Sequence, residues 1–148
     1  MADTMEQLTA DMKAAMKARE TERLGTIRML RSSLKNEQIN LGRELTDDDV
    51  VGVLSSEAKK RREAAEAYRE GGRDELADKE EAELAVIEEY LPKQLSDDEI
   101  AELVDEVMAE TGAETKGDMG KVMGSIMPRV KGKADGNKVR EIVMSKLA

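Results

Sequence analysis

Apolar residues recur along this chain every three or four positions, and the pattern restarts after each polar or glycine-bearing break. Met5, Leu8, Met12, Ala15 and Met16 share one face of a first predicted helix, with Thr4 and Gln7 as its capping box. A second helix opens near Thr21 and carries Leu24, Ile27, Leu30, Leu34 and Leu41 until Gly42 stops it. Thr46 caps a third, whose first turn holds Asp47, Asp48 and Asp49 where the helix dipole favours negative charge. This helix runs through Val50, Val51, Val53, Leu54, Ala58, Ala65 and Tyr68 to Glu70 and ends at Gly71 and Gly72. A fourth follows Arg73 and Asp74, turning Leu76, Leu84, Ile87 and Leu91 inward and Glu80, Glu81, Glu83, Glu88 and Glu89 outward. Pro92 ends it, because proline disfavours a helical residue before it and has no backbone N–H to donate.

Ser96 and Glu99 then form a second capping box, so residues 92–96 read as a stiff elbow between an N-terminal helical domain, 1–91, and a C-terminal one, 97–148. The fifth helix carries Ile100, Leu103, Val104, Val107 and Met108 as far as Gly112. The sixth, from Lys116 to Val130, buries Met119, Val122, Met123, Ile126, Met127 and Val130. Asp135 caps a seventh, with Val139, Ile142, Val143 and Leu147 on one face. The expected fold is all-α: a multihelical N-terminal portion with long helices, followed by a small C-terminal three-helix domain.

Composition narrows this further. Two tyrosines, Tyr68 and Tyr90, are the whole aromatic content, whereas strong helix formers abound, which disfavours a sheet. With no histidine and no cysteine, the commonest general base, thiol nucleophiles and ordinary zinc sites are excluded. Calcium is excluded on ligands: an EF-hand loop opening at Asp47 would place Val51 and Ala58 where oxygen donors are required. No metal, cofactor or catalytic residue is therefore expected. The first residues show no basic and apolar leader, and no stretch approaches the ~20 apolar residues of a membrane span. These features lead to the expectation of a cytoplasmic protein that does not engage a membrane.

Charge divides the chain. Residues 1–115 hold 16 Lys or Arg against 30 Asp or Glu, whereas from Lys116 onward there are 8 against 3. A basic end on an acidic protein points to a polyanionic partner. Two other basic runs read as solvated helix faces: Arg19, Arg23, Arg28, Arg31 and Lys35 on the second helix, and Lys59-Lys-Arg-Arg62 on the third. Glu57, Glu63 and Glu66 lie at pairing distance from the latter.

Glycines single out the sixth helix. Gly117, Gly120 and Gly124 recur at spacings of three and four and line one edge, although a mid-helix glycine costs roughly 1 kcal/mol relative to alanine. Something must come close to that backbone: either a packed helix or a sugar–phosphate chain whose phosphates Lys121, Arg129, Lys131 and Lys133 neutralise. Gly132 and Gly136 flank the turn into the seventh helix, whose first amides attract anions, and Lys138 and Arg140 follow. Lacking Phe and Trp, this end cannot stack single-stranded bases, so an RNA partner would be recognised by shape and phosphate.

The run Met119-Gly-Lys-Val-Met-Gly-Ser-Ile-Met-Pro-Arg-Val-Lys-Gly-Lys-Ala-Asp-Gly136 closely resembles the signature of the GatB/YqeY family. Glu88-Glu-Tyr-Leu-Pro-Lys-Gln-Leu95 and Glu57-Ala-Lys-Lys-Arg-Arg-Glu63 are similar to its other recurring segments. The chain resembles the free-standing YqeY-like members, and its C-terminal part is similar to the tail domain of the B subunit of glutamine-dependent tRNA amidotransferase. That resemblance implies a helical C-terminal domain that contacts the tRNA body, and it selects Gly120, Lys121, Gly124, Lys131, Gly132, Lys133 and Gly136. It does not bring the amidotransferase catalytic domain. The expectation is a noncatalytic module binding tRNA or a tRNA-like RNA, recruiting it to a tRNA-modifying or aminoacylating protein. The alternatives are a protein-interaction or assembly module and, by family association, an amidase-like or carbon–nitrogen ligase accessory activity with glutamine as amido-N-donor.

Overall fold

Two side-chain hydroxyls set where the long helices begin. Thr46 accepts a hydrogen bond from the Asp49 amide at 3.1 Å while Asp49 accepts one from the Thr46 amide at 2.9 Å; Ser96 and Glu99 repeat the exchange at 3.2 and 3.1 Å. The computed structural model describes residues 2–148, and seven α-helices and one 3₁₀ turn make up their regular structure. Helices α1 (Ala2–Ala18), α2 (Thr21–Leu41), α3 (Asp47–Glu70) and α4 (Asp74–Glu88) belong to one unit, which ends at Pro92. Helices α5 (Asp97–Thr111), α6 (Met119–Val130) and α7 (Gly136–Lys146) belong to a second unit, Lys93–Ala148. The fold is all-α. Among the described residues no helix is long and apolar enough to cross a membrane.

In the first unit, Leu8, Ile27, Leu30, Leu34, Val50, Leu54, Ala58 and Ile87 are buried together, joining all four helices in one core. Arg69 staples the α3–α4 hairpin, reaching Asp78 at 2.7 Å, Glu81 at 2.9 Å and Asp74 at 3.5 Å. The end of α4 is tied back by two polar contacts. Arg23 grips Glu89 through both terminal nitrogens, at 2.6 and 3.0 Å, and the Tyr90 hydroxyl donates to Asp11. Burial, reinforced by the Asp11 carboxylate, pushes the Tyr90 hydroxyl above the ordinary phenol range.

Four details differ from the sequence pattern. Helix α1 is already formed at Ala2, so Thr4 lies inside it and no Thr4–Gln7 box forms; the Gln7 side chain donates to Asp11 at 2.9 Å instead. Leu76, read as inward, is 38% exposed, and its neighbour Ala77 is fully buried in its place. One residue is a 100° turn of a helix, so burying Ala77 turns Leu76 away from the interior. Met16 and Leu41, read as parts of buried stripes, are 50% and 42% exposed. Helix α4 stops at Glu88 rather than running on to Leu91.

The second unit has a core of small aliphatic chains: Ile100, Val104 and Val107 from α5, Val122, Ile126 and Val130 from α6, and Val139 and Val143 from α7, with Ala113 and Leu147. Met119, Met123 and Met127 sit half-buried at its margin, filling the rim of an interior that has no ring to occupy it. Residues Lys116–Asp118 form a 3₁₀ turn ahead of α6, not its first turn. Asp118 organises that turn by accepting the amides of Glu114 and Thr115 at 3.0 and 3.2 Å, which hold its carboxyl below the usual range. The Ala148 amide donates to the Glu114 carbonyl at 3.0 Å and the Lys116 amide donates to the Ala148 carbonyl at 3.1 Å, so the segment is bonded on both sides.

Two predictions follow from these contacts. Ile126→Ala, at a fully buried site, should lower unfolding stability by about 2–5 kcal/mol, whereas Leu76→Ala should stay within about 0.5 kcal/mol, both read from urea unfolding. Asp118 has a depressed folded-state pKa, so its stabilisation is present above the unfolded carboxylate value of about 4 and is lost as pH falls through the folded value. Asp118→Asn should therefore lower the melting temperature at pH 7, and the difference from wild type should close in acid, as thermal melts across pH will show.

Candidate nucleic-acid interface

The buried stripe of α6 fixes what the helix presents to solvent. Val122, Ile126 and Val130 are fully buried, so the residues a half-turn away, Gly120, Lys121, Gly124 and Pro128, must face out, and all four are exposed. Lys131 follows at the C-cap and is exposed as well. Ten residues separate Lys121 from Lys131, about 15 Å along a helix axis. Between these two cations the exposed positions hold Gly124, Pro128 and Arg129, whose guanidinium is turned to Glu110.

That edge is bare. A methyl group placed on Gly120 or on Gly124 would meet nothing within 4 Å, so among the described residues no helix requires a glycine at either position. Pro128 adds a second feature: lacking an N–H, it leaves the Gly124 carbonyl, four residues earlier, without its helical hydrogen bond. The edge thus holds, between two ammonium groups, a backbone carbonyl that Pro128 cannot serve.

Bare helical glycines are not confined to α6, since Gly25 in α2 and Gly52 in α3 are also exposed with nothing within 4 Å, whereas Gly132 has a local cause. Gly132 takes the left-handed conformation, φ 75°, and its carbonyl accepts from the Gln94 side chain at 2.7 Å. The adjacent Lys133 carbonyl accepts the Leu95 amide at 2.8 Å, so the α6–α7 turn is held by the segment that precedes α5. A side chain at Gly136 would press on the Met127 methyl at 3.4 Å, and one at Gly117 would lie 3.5 Å from the Thr115 hydroxyl. At the start of α7, Asp135 accepts the Asn137 amide at 3.4 Å. A carboxylate therefore sits where the sequence pattern suggested an open anion-attracting helix end.

The basic side chains fall into two sets. Arg129 grips Glu110 with both terminal guanidinium nitrogens, Lys138 lies 3.5 Å from Asp97, and Lys146 lies 2.9 Å from Asp105. Lys116, Lys121, Lys131, Lys133 and Arg140 are exposed and make no ion pair among the described residues, although Lys121 is near enough to Asp118 to help lower its pKa. The three answered cations were indistinguishable from the others by sequence position. Lys116 was not singled out, yet it belongs to the free set. The second unit has 9 Lys or Arg against 11 Asp or Glu, so its positive potential is local to α6, α7 and the turns beside them. The run on α3 is answered locally: Arg61 and Lys60 pair with Glu57 at 2.7 and 3.5 Å, and Lys59 with Glu63 at 4.0 Å.

Comparison with known proteins adds the family. The protein named Altered inheritance of mitochondria protein 41, mitochondrial, of Lachancea thermotolerans is 32% identical over 90 residues, 60% of this chain and 48% of that protein. Its namesake in Clavispora lusitaniae is 32% identical over 108 residues, 72% of this chain and 63% of that protein. An uncharacterized protein of Schizosaccharomyces pombe is 32% identical over 82 residues, 55% and 67% of the two chains. The matched stretch spans about half the length of the first of these relatives. Their names correct one expectation: a cytoplasmic location is overturned by relatives that are mitochondrial by name. An absence of cysteine fits a reducing compartment, and it does not separate the cytoplasm from the interior of an organelle. Residues 5–147, from α1 to the residue after α7, match the family model described as Yqey-like protein, and the chain belongs to that family.

Proposed function

We propose that the second unit is a noncatalytic docking module for tRNA or a similarly folded RNA, which it recognises by backbone and shape along the bare edge of α6. One observation carries this reading: Gly120 and Gly124 stand exposed on the edge that carries Lys121 and Lys131, and among the described residues nothing lies against them, although each weakens the helix by roughly 1 kcal/mol relative to alanine. A backbone kept bare at that expense, between Lys121 and Lys131, suits a sugar–phosphate chain. A-form RNA offers a wide, shallow minor groove lined with ribose hydroxyls, which a flat helix edge can approach and a backbone carbonyl can accept from. Both tyrosines lie outside this unit, so base stacking has no platform here. The likeness to the amidotransferase tail supports tRNA as the RNA, and a tRNA-modifying or aminoacylating enzyme as the protein to which the module delivers it.

Two experiments test it. Titrating labelled tRNA at several salt concentrations should show binding at low salt, weakened at least tenfold by Lys121→Glu, Lys131→Glu and Lys133→Glu together, with a salt slope shallower by roughly 0.7–0.9 per lysine. Gly120→Ala and Gly124→Ala should each raise unfolding stability by about 0.4–1 kcal/mol, because a helical backbone gains from alanine where space is open, and should weaken tRNA binding at the same time. Stabilised glycine variants that bind tRNA undiminished would remove the basis of the reading. If partner capture survives nuclease treatment while tRNA affinity ignores the lysines, the module binds protein instead.

A further inference from the structure

The unequal treatment of the eight basic side chains after residue 115 calls for a physical explanation. Helix α5 carries seven acidic residues and no basic one within Asp97–Thr111. Two of its carboxylates, Asp97 and Asp105, stand eight residues apart and pair with Lys138 and Lys146, which also stand eight residues apart. Eight residues are about 12 Å on either helix, so these are two rungs between helices that run parallel. A third carboxylate, Glu110, lies a further 140° round α5 from Asp105 and grips Arg129 on α6. Helix α5 therefore presents anions to both of its neighbours and answers the cations that point towards it. Among the described residues, the cations after residue 115 with no carboxylate partner are Lys116, Lys121, Lys131, Lys133 and Arg140.

We infer that α5 is a built-in counter-anion, whose Asp97, Asp105 and Glu110 keep Lys138, Lys146 and Arg129 out of contact with a polyanion and so confine it to the bare α6 edge. Exposed ion pairs of this kind contribute about 0–1 kcal/mol each, too little to explain three of them as a device for stability. Their effect on binding is larger in kind. Each one removes a cation from the set that can replace counterions on a polyanion, and it leaves a carboxylate where the phosphate would have to sit. A basic stretch with every side chain free would attract polyanions from several directions, whereas here the cations that face α5 are answered. Asp97, Asp105 and Glu110 thus act as specificity-determining residues that touch no ligand themselves. The inference rests on the RNA-docking reading only for the identity of the polyanion.

The test compares two triple variants of equal net charge. Asp97→Asn, Asp105→Asn and Glu110→Gln together release the three cations. Asp98→Asn, Glu102→Gln and Glu141→Gln together remove the same charge from exposed residues that pair with no cation among those described. Each variant and wild type, with helix content checked by circular dichroism, is titrated with tRNA and with inorganic polyphosphate across a range of salt. The releasing variant should show a slope of log K against log salt steeper by about 2–3 than wild type, at roughly 0.7–0.9 per cation recruited. The control variant should bind more tightly at low salt with its slope unchanged. Equal slopes in the two variants, or a releasing variant that binds neither probe, would overturn the inference. If polyphosphate shows the steeper slope while tRNA fails to bind wild type, the counter-anion role of α5 stands and the RNA reading falls.

Discussion

The apolar seam of α6 is the constraint on which the second unit depends. Val122, Ile126 and Val130 lock the rotation of that helix between α5 and α7, and at 100° per residue every other side chain on it then has a fixed address. Lys121, Gly124 and Pro128 face solvent, Arg129 is carried towards α5, and Met127 lies against the start of α7. A slip of one position would bury Lys121, which a core of this composition cannot solvate. The seam can be thin because the chain has no Phe or Trp: valine and isoleucine let three short helices come close without gaps, and methionines close the rim.

From that geometry follows a division of labour. One side of the small unit is neutralised internally, by α5 carboxylates answering Arg129, Lys138 and Lys146. Along the exposed edge of α6, Lys121 and Lys131, which make no ion pair among the described residues, flank the bare backbone of Gly124. Glycine has opposite meanings in the two places where it recurs. Gly132 and Gly136 belong to a tight turn, one by its left-handed conformation and the other by its nearness to Met127. Gly120 and Gly124 satisfy no internal demand, as is also true of Gly25 and Gly52, and what sets the α6 pair apart is its place beside Lys121 and Lys131.

Much of the fold was legible in the sequence because its signals are local. Thr46 with Asp49 and Ser96 with Glu99 fixed the starts of α3 and α5, and Gly42 and Gly112, both left-handed, fixed the ends of α2 and α5. Errors arose where tertiary packing chooses between neighbours: Ala77 rather than Leu76 is buried. The glycine–lysine edge was visible as a pattern, but whether the chain itself covered it was not, since that depends on where α5 and α7 pack. Nor could spacing alone separate Arg129 and Lys138 from Lys121 and Lys131. The distinction lies in carboxylates 19 and 41 positions away in sequence, and the one signal that could have suggested it is the unbroken acidity of α5.

The most direct measurement is a heteronuclear NMR titration of the isotope-labelled chain with tRNA at low salt, because backbone glycine amides are well separated and report contact without any substitution. Shifts should concentrate on Gly120, Lys121, Gly124 and Lys131, with α5 amides at Asp98 and Glu102 unmoved. Shifts centred on α5 or on the first unit, or none at tRNA concentrations that saturate binding, would contradict a docking surface on the bare edge of α6.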